Sequence, residues 1–167
     1  MTRLLRIAAL CLLLAACAGP RVAERSPNSS AAAPACVQTS HGCLALNPGV
    51  TPETIGRTIC LPGYTRTVRP PTSYTNGVKA YLLRQAGINV SHMSEYELDH
   101  VVPLALGGHP RDPSNLALQP WEGEHGAKPK DALEARLHER VCRGEMSLAD
   151  AQRCVAENWE ACARGLL

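Results

Sequence analysis

Hydrophobic and polar positions divide the chain into an apolar head, a polar stretch and a patterned body. Residues 7–14 form an unbroken apolar run behind Arg3 and Arg6, too short to span a bilayer as a stable helix. Residues 18–35 are rich in Ala, Pro, Ser and Asn and read as a flexible tether. Residues 36–73 carry many turn formers and three cysteines, which predicts loops with short strands. A helix is expected from near Thr75, with Val78, Leu82 and Gln85 or Ala86 on one face and Gly87 as its stop. Residues 95–102 read as a strand broken by Pro103 and Gly107-Gly108, and residues 116–118 as a returning strand. The next helix starts near Pro129, a good first-turn residue. Leu133, Leu137 and Val141 form its buried stripe, and Gly144 ends it. Ser147 to Asp150 reads as a capping box for a last helix whose apolar face is Leu148, Ala151, Val155 and Trp159. The fold class expected is α+β.

The head changes the picture of where the chain resides. Leu14-Ala15-Ala16-Cys17 resembles the bacterial lipobox, cleaved just before its cysteine. That resemblance implies a signal peptide over residues 1–16, lipidation at Cys17, a tether over 17–35 and a domain over 36–167. The alternative is an ordinary secretory signal in which Cys17 is incidental. Ala18 stands where a signal for retention at the inner membrane usually shows Asp, so the expected location is the cell envelope, anchored to the outer membrane and facing the periplasm.

Composition supports export. With Cys11 lost in the signal and Cys17 lipidated, six cysteines remain: Cys36, Cys43, Cys60, Cys142, Cys154 and Cys162. An even set in an oxidising compartment reads as three disulfides, while a zinc site is disfavoured because no CxxC pair exists. Fifteen pairings are open. The absence of Phe leaves a core of Leu, Val, Ile and Ala. Losing Arg3 and Arg6 leaves fifteen basic against fifteen acidic residues, which does not indicate a strongly basic nucleic-acid binder. The distribution is uneven, however. No acidic residue lies between Glu53 and Glu95, a stretch holding Arg57, Arg66, Arg69, Lys79 and Arg84.

Polar residues cluster where the two expected strands meet the following helix. Tyr96-Glu97-Leu98-Asp99-His100-Val101-Val102-Pro103-Leu104, then Gly107-Gly108, then Asn115-Leu116, resembles the HNH endonuclease motif. Cys60-Leu61-Pro62-Gly63-Tyr64-Thr65, Val68-Arg69-Pro70 and Lys130-Asp131-Ala132-Leu133-Glu134 are similar to recurring elements of exported bacterial HNH-like proteins. The resemblance spans residues 57–160 and implies a small ββα-metal unit with a preceding helix and a C-terminal helical hairpin, stapled by disulfides.

It also implies roles. His100 is the general base, since a neutral imidazole suits that task near neutral pH. Asp99 holds a divalent cation, Mg²⁺ or Mn²⁺ with Zn²⁺ as a further option. Asn115 braces the loop and orients the base. Glu97 fixes a phosphate-touching arginine, with Arg69 the first candidate and Arg66 the second. The helix start departs from the pattern: His125 is the candidate second metal ligand, with Glu124 or water in its place otherwise. The resemblance further implies a disulfide between Cys60 and Cys142, leaving Cys36–Cys43 and Cys154–Cys162 as the residual pairs. In one α-helix an eight-residue separation spans about 12 Å, so the last pair requires the helix to end near Trp159.

Strict alternation puts Asp99 and His100 on opposite faces of a strand, so a shared site requires the pleat to break there. His92, His109 and His138 lack motif context and are expected to be solvated, and Trp121 to cap the core. Two functions follow from the resemblance: a metal-dependent endonuclease acting on nucleic acid, DNA first, or a catalytically silent module that binds nucleic acid or an envelope partner. The partners expected are nucleic acid and, through the lipid, the membrane. No protein partner is indicated for the endonuclease.

Overall fold

The computed structural model describes residues 36–166. The expected signal, the lipidated Cys17 and the tether fall in residues 1–35, outside the described residues. Among the described residues no helix is long and apolar enough to cross a membrane.

The fold is α+β. Strands β1 (Cys36–Thr39) and β2 (Gly42–Ala45) form a hairpin, followed by the short helix α1 (Tyr64–Val68) and by α2 (Thr72–Gln85). Strands β3 (Tyr96–His100) and β4 (Leu116–Pro120) make a second antiparallel pair, and helices α3 (Ala127–Cys142) and α4 (Leu148–Gly165) close the chain. Each boundary has a local cause. Gly87 and Gly144 take left-handed φ values just past the ends of α2 and α3, where a side chain would be strained. Pro129 lies in the first turn of α3, where its missing N–H is not needed. The Ser147 hydroxyl accepts from the Asp150 amide at 3.0 Å and caps α4.

The stripe of α3 is buried as its spacing predicts, with Leu133, Leu137 and Val141 each at most 3 % exposed. It meets Leu148, Ala151 and Val155 of α4 in a core completed by Val37 and Leu44 of the hairpin and by Val102 and Leu106 of the β3–β4 loop. Burying a side chain such as Leu137 contributes roughly 1.5–3 kcal/mol. Gln152 sits in this core and is satisfied there, donating from Nε2 to the Leu106 carbonyl at 2.8 Å.

Three disulfides staple the domain: Cys36–Cys43 across the hairpin, Cys60–Cys142 between the segment before α1 and the end of α3, and Cys154–Cys162 within α4. The last is possible because α4 is interrupted. Asn158 takes extended backbone angles, and its side chain accepts from the Ala161 amide at 2.8 Å, capping the segment that follows. The Cα atoms of Cys154 and Cys162 are therefore 5.3 Å apart.

Candidate active site

The loop between β3 and β4 is held by one side chain. Asn115 has no exposed surface. Its Oδ1 accepts from the Val102 amide at 2.8 Å, and its Nδ2 donates to the carbonyls of Val102 at 3.0 Å and His109 at 3.1 Å. Gly108 makes room for this clamp: a Cβ there would lie 1.7 Å from the Val102 carbonyl oxygen and 2.6 Å from Asn115 Nδ2. The His109 ring ties the far end of the loop, accepting at Nδ1 from the amides of Asp112 at 2.9 Å and Arg111 at 3.2 Å. So His109 is a loop-folding residue rather than a solvated one, and no local periodicity marks it as such.

This loop carries the Pro110 carbonyl to His100. His100 is 7 % exposed, and its Nε2 lies 3.1 Å from the Pro110 oxygen. A carbonyl can only accept, so Nε2 carries the proton and Nδ1 keeps its lone pair. Burial holds the imidazole below its ordinary value, against the pull of the Pro110 bond and of the Asp99 charge. His100 is thus a neutral imidazole near neutral pH with its tautomer set by the backbone. Asn115 does not bond His100 directly; its bonds go to Val102 and to His109, the residue before Pro110.

His100 lines a cavity of about 220 Å³ between α2 and β3, with Arg69, Thr75, Lys79, Glu97 and Trp121. Arg69 is exposed and has no carboxylate within ion-pair distance among the described residues. Its charge acts on both Glu97 and His100. Arg66 does not line this cavity. Lys79 donates to the Tyr96 carbonyl at 2.7 Å. Burial raises the Glu97 carboxyl, and neighbouring Asp99 and Asp131 raise it further. A second cavity, of about 270 Å³, is lined by Tyr74, Val78, Tyr81, Leu82 and Leu116 and holds no histidine or carboxylate.

Asp99 does not join His100 in this cavity. The β3–β4 ladder runs regularly through the Asp99–Ala117 and His100–Leu116 pairs, so the pleat is unbroken and adjacent side chains alternate. Asp99 turns instead to α3, where its Oδ2 lies 2.8 Å from Lys130 Nζ. The same ammonium meets Glu134 Oε1 at 2.6 Å and the His100 carbonyl at 3.1 Å. Lys130 is 3 % exposed. Burial works against its charge, but Asp99 and Glu134 outweigh that and raise its pKa. Two carboxylates share one cation, and Glu134 answers for the imbalance: burial pushes it up to about 7.

The divalent cation implied by the HNH resemblance does not fit this donor set. An ion on Asp99 would lie close to the Lys130 ammonium. Single and double positive charges 4 Å apart repel by about 8 kcal/mol at an effective dielectric of ~20. His125 is exposed in the turn before α3, and its Nδ1 lies 2.6 Å from Glu160 of α4. Asp99 and His125 belong to no group of three or more ligand atoms among the described residues. The one such group is Cys60, His138 and Cys142, whose two sulfurs are bonded to each other. His138 there hydrogen-bonds the Ile59 carbonyl at 2.8 Å, so it is a packing residue rather than a solvated one. Sequence reasoning assigned Lys130 no site role; its signals were its place in the Lys130-Asp131-Ala132-Leu133-Glu134 element and the i, i+4 spacing to Glu134. Comparison of the chain with protein-family models, with curated proteins and with solved structures finds no match.

Proposed function

We propose that the cleft between α2 and β3 binds the phosphate backbone of nucleic acid, DNA first, and hydrolyses its phosphodiester bonds. The observation that carries this reading is His100: a buried, neutral imidazole with Nε2 pinned by Pro110, lining one cavity with Arg69 and Lys79. In this reading His100 Nδ1 takes a proton from water as the water oxygen attacks phosphorus. The bond from phosphorus to the leaving sugar oxygen then breaks, and that oxygen is reprotonated from solvent. Arg69 and Lys79 hold the phosphate oxygens and stabilise their growing charge. The order β3, β4, α3 with Asn115 clamping the intervening loop supports taking this unit as HNH-like. The Cys17 run supports an anchored protein that meets nucleic acid at the cell envelope.

Plasmid nicking by the full-length protein in detergent tests the reading, with EDTA or with added Mg²⁺, Mn²⁺ or Zn²⁺. Conversion of supercoiled to open-circular DNA, lost in His100→Ala, is the expected result. An absence of cutting under every condition overturns the hydrolytic reading. The Asp99–Lys130 pair favours a second reading, a module that binds the backbone without cutting it. Salt-sensitive DNA binding with no nicking would identify it.

A further inference from the structure

The buried ammonium of Lys130 sits among three oxygens: Asp99 Oδ2 at 2.8 Å, Glu134 Oε1 at 2.6 Å and the His100 carbonyl at 3.1 Å. Lysine has three N–H donors, and each has one acceptor here. Two carboxylates and a carbonyl converging on one point are a hard-cation donor set. Asp99 comes from β3 and Glu134 from α3, so the cation also ties the strand to the helix. The ammonium is out of solvent, with 4 % of the side chain exposed. Being covalently part of α3, it cannot exchange with bulk ions as a bound metal would.

We propose that Lys130 is the built-in cation of this domain: its ammonium occupies the oxygen cage in which a divalent ion would otherwise bind Asp99, and the cleft handles phosphate with protein charges alone. The cations that face the cavity are Arg69, free of any carboxylate within ion-pair distance among the described residues, and Lys79, which spends one of its donors on Tyr96. Lys130 does not line that cavity, so it is a positioning residue. It fixes the backbone of His100 through the carbonyl and withholds Asp99 from metal. The exclusion of metal stands apart from the hydrolytic reading, and only the statement about phosphate rests on it.

Mn²⁺ titration of the full-length protein, followed by electron paramagnetic resonance, decides the matter without any assay of activity. The wild type is expected to bind no stoichiometric Mn²⁺ below millimolar concentration. Lys130→Ala, which empties the cage and leaves its oxygens, is expected to bind one equivalent at least tenfold more tightly, and Asp99→Asn in that background to abolish the gain. Lys130→Gln keeps the length and removes the charge, and it replaces Lys130→Ala if the latter fails to melt cooperatively. One equivalent of Mn²⁺ bound by the wild type and lost in Asp99→Asn overturns the proposal. A folded Lys130 variant that gains no Mn²⁺ overturns it too. Where the protein nicks DNA, EDTA is expected to change the rate by less than twofold, and a tenfold loss in EDTA counts against the proposal. A protein that never cuts refutes the hydrolytic reading but leaves the Mn²⁺ result standing.

Discussion

Asn115→Ala tests the clamp on which the site depends. The side chain has no exposed surface and makes three hydrogen bonds, all to backbone. Truncation leaves the Val102 amide and the carbonyls of Val102 and His109 without that partner. A buried group left unpaired costs about 1–3 kcal/mol, and His109 is partly exposed and can recruit water. Two orphaned groups at Val102, itself fully buried, therefore set a loss of roughly 2–6 kcal/mol. For a domain of this size that corresponds to a melting point lower by roughly 6–24 °C. Asn115→Asp is expected to be at least as harmful, because it keeps the acceptor for Val102 but turns a negative oxygen on two carbonyls. Circular-dichroism melts of both variants measure this. The clamp also reaches the chemistry, since the His109 carbonyl it holds precedes the Pro110 carbonyl that pins His100. Losing it is expected to lower the nicking rate at temperatures where the variant is still folded. A loss of stability below about 1 kcal/mol in Asn115→Ala would refute the reasoning.

Three further outcomes are expected. His100→Ala should slow hydrolysis by roughly a hundredfold or more, the usual scale for removing a positioned base, with its melting curve checked alongside; nicking at the wild-type rate would remove His100 from the mechanism. Glu134 gives up its proton near 4.5 in the unfolded chain and at about 7 in the folded one. The folded state thus holds the extra proton between those values, and stability falls as pH rises through that window, by up to roughly 3 kcal/mol. Glu134→Gln should flatten that fall in denaturant titrations. His100, held below its ordinary value, acts in the opposite direction below about pH 6.5, and its contribution cancels when the two proteins are compared. Finally, Cys60→Ser with Cys142→Ser opens a disulfide with a sequence separation of 82 residues. On chain entropy that should cost about 4–5 kcal/mol, read as a lower urea midpoint.

What the chain determined by itself was local. A spacing of four in Leu133, Leu137 and Val141 specifies one face of a helix, and glycines at 87 and 144 mark stops, because both depend only on backbone geometry within a turn. The α+β class and the use of six cysteines in three disulfides follow from similarly local patterns and from parity. The strand carrying Glu97, Asp99 and His100 was legible in the same way. Tertiary structure decided which of those groups meet. Docking sends Asp99 to α3 while His100 and Glu97 line the cleft, and no pattern within the strand could say that a lysine four residues into α3 waits for the carboxylate. His125 was drawn to Glu160, distant in sequence, because α4 packs against α3. Cys154 and Cys162 meet only because Asn158 interrupts a helix that the apolar spacing alone would continue. The physical reason is common to the two charged contacts. Periodicity specifies which face of an element is apolar, whereas the partner of a charge is chosen by how separate elements dock, and in a low-dielectric interior that choice determines whether a carboxylate is free to bind an ion or already neutralised.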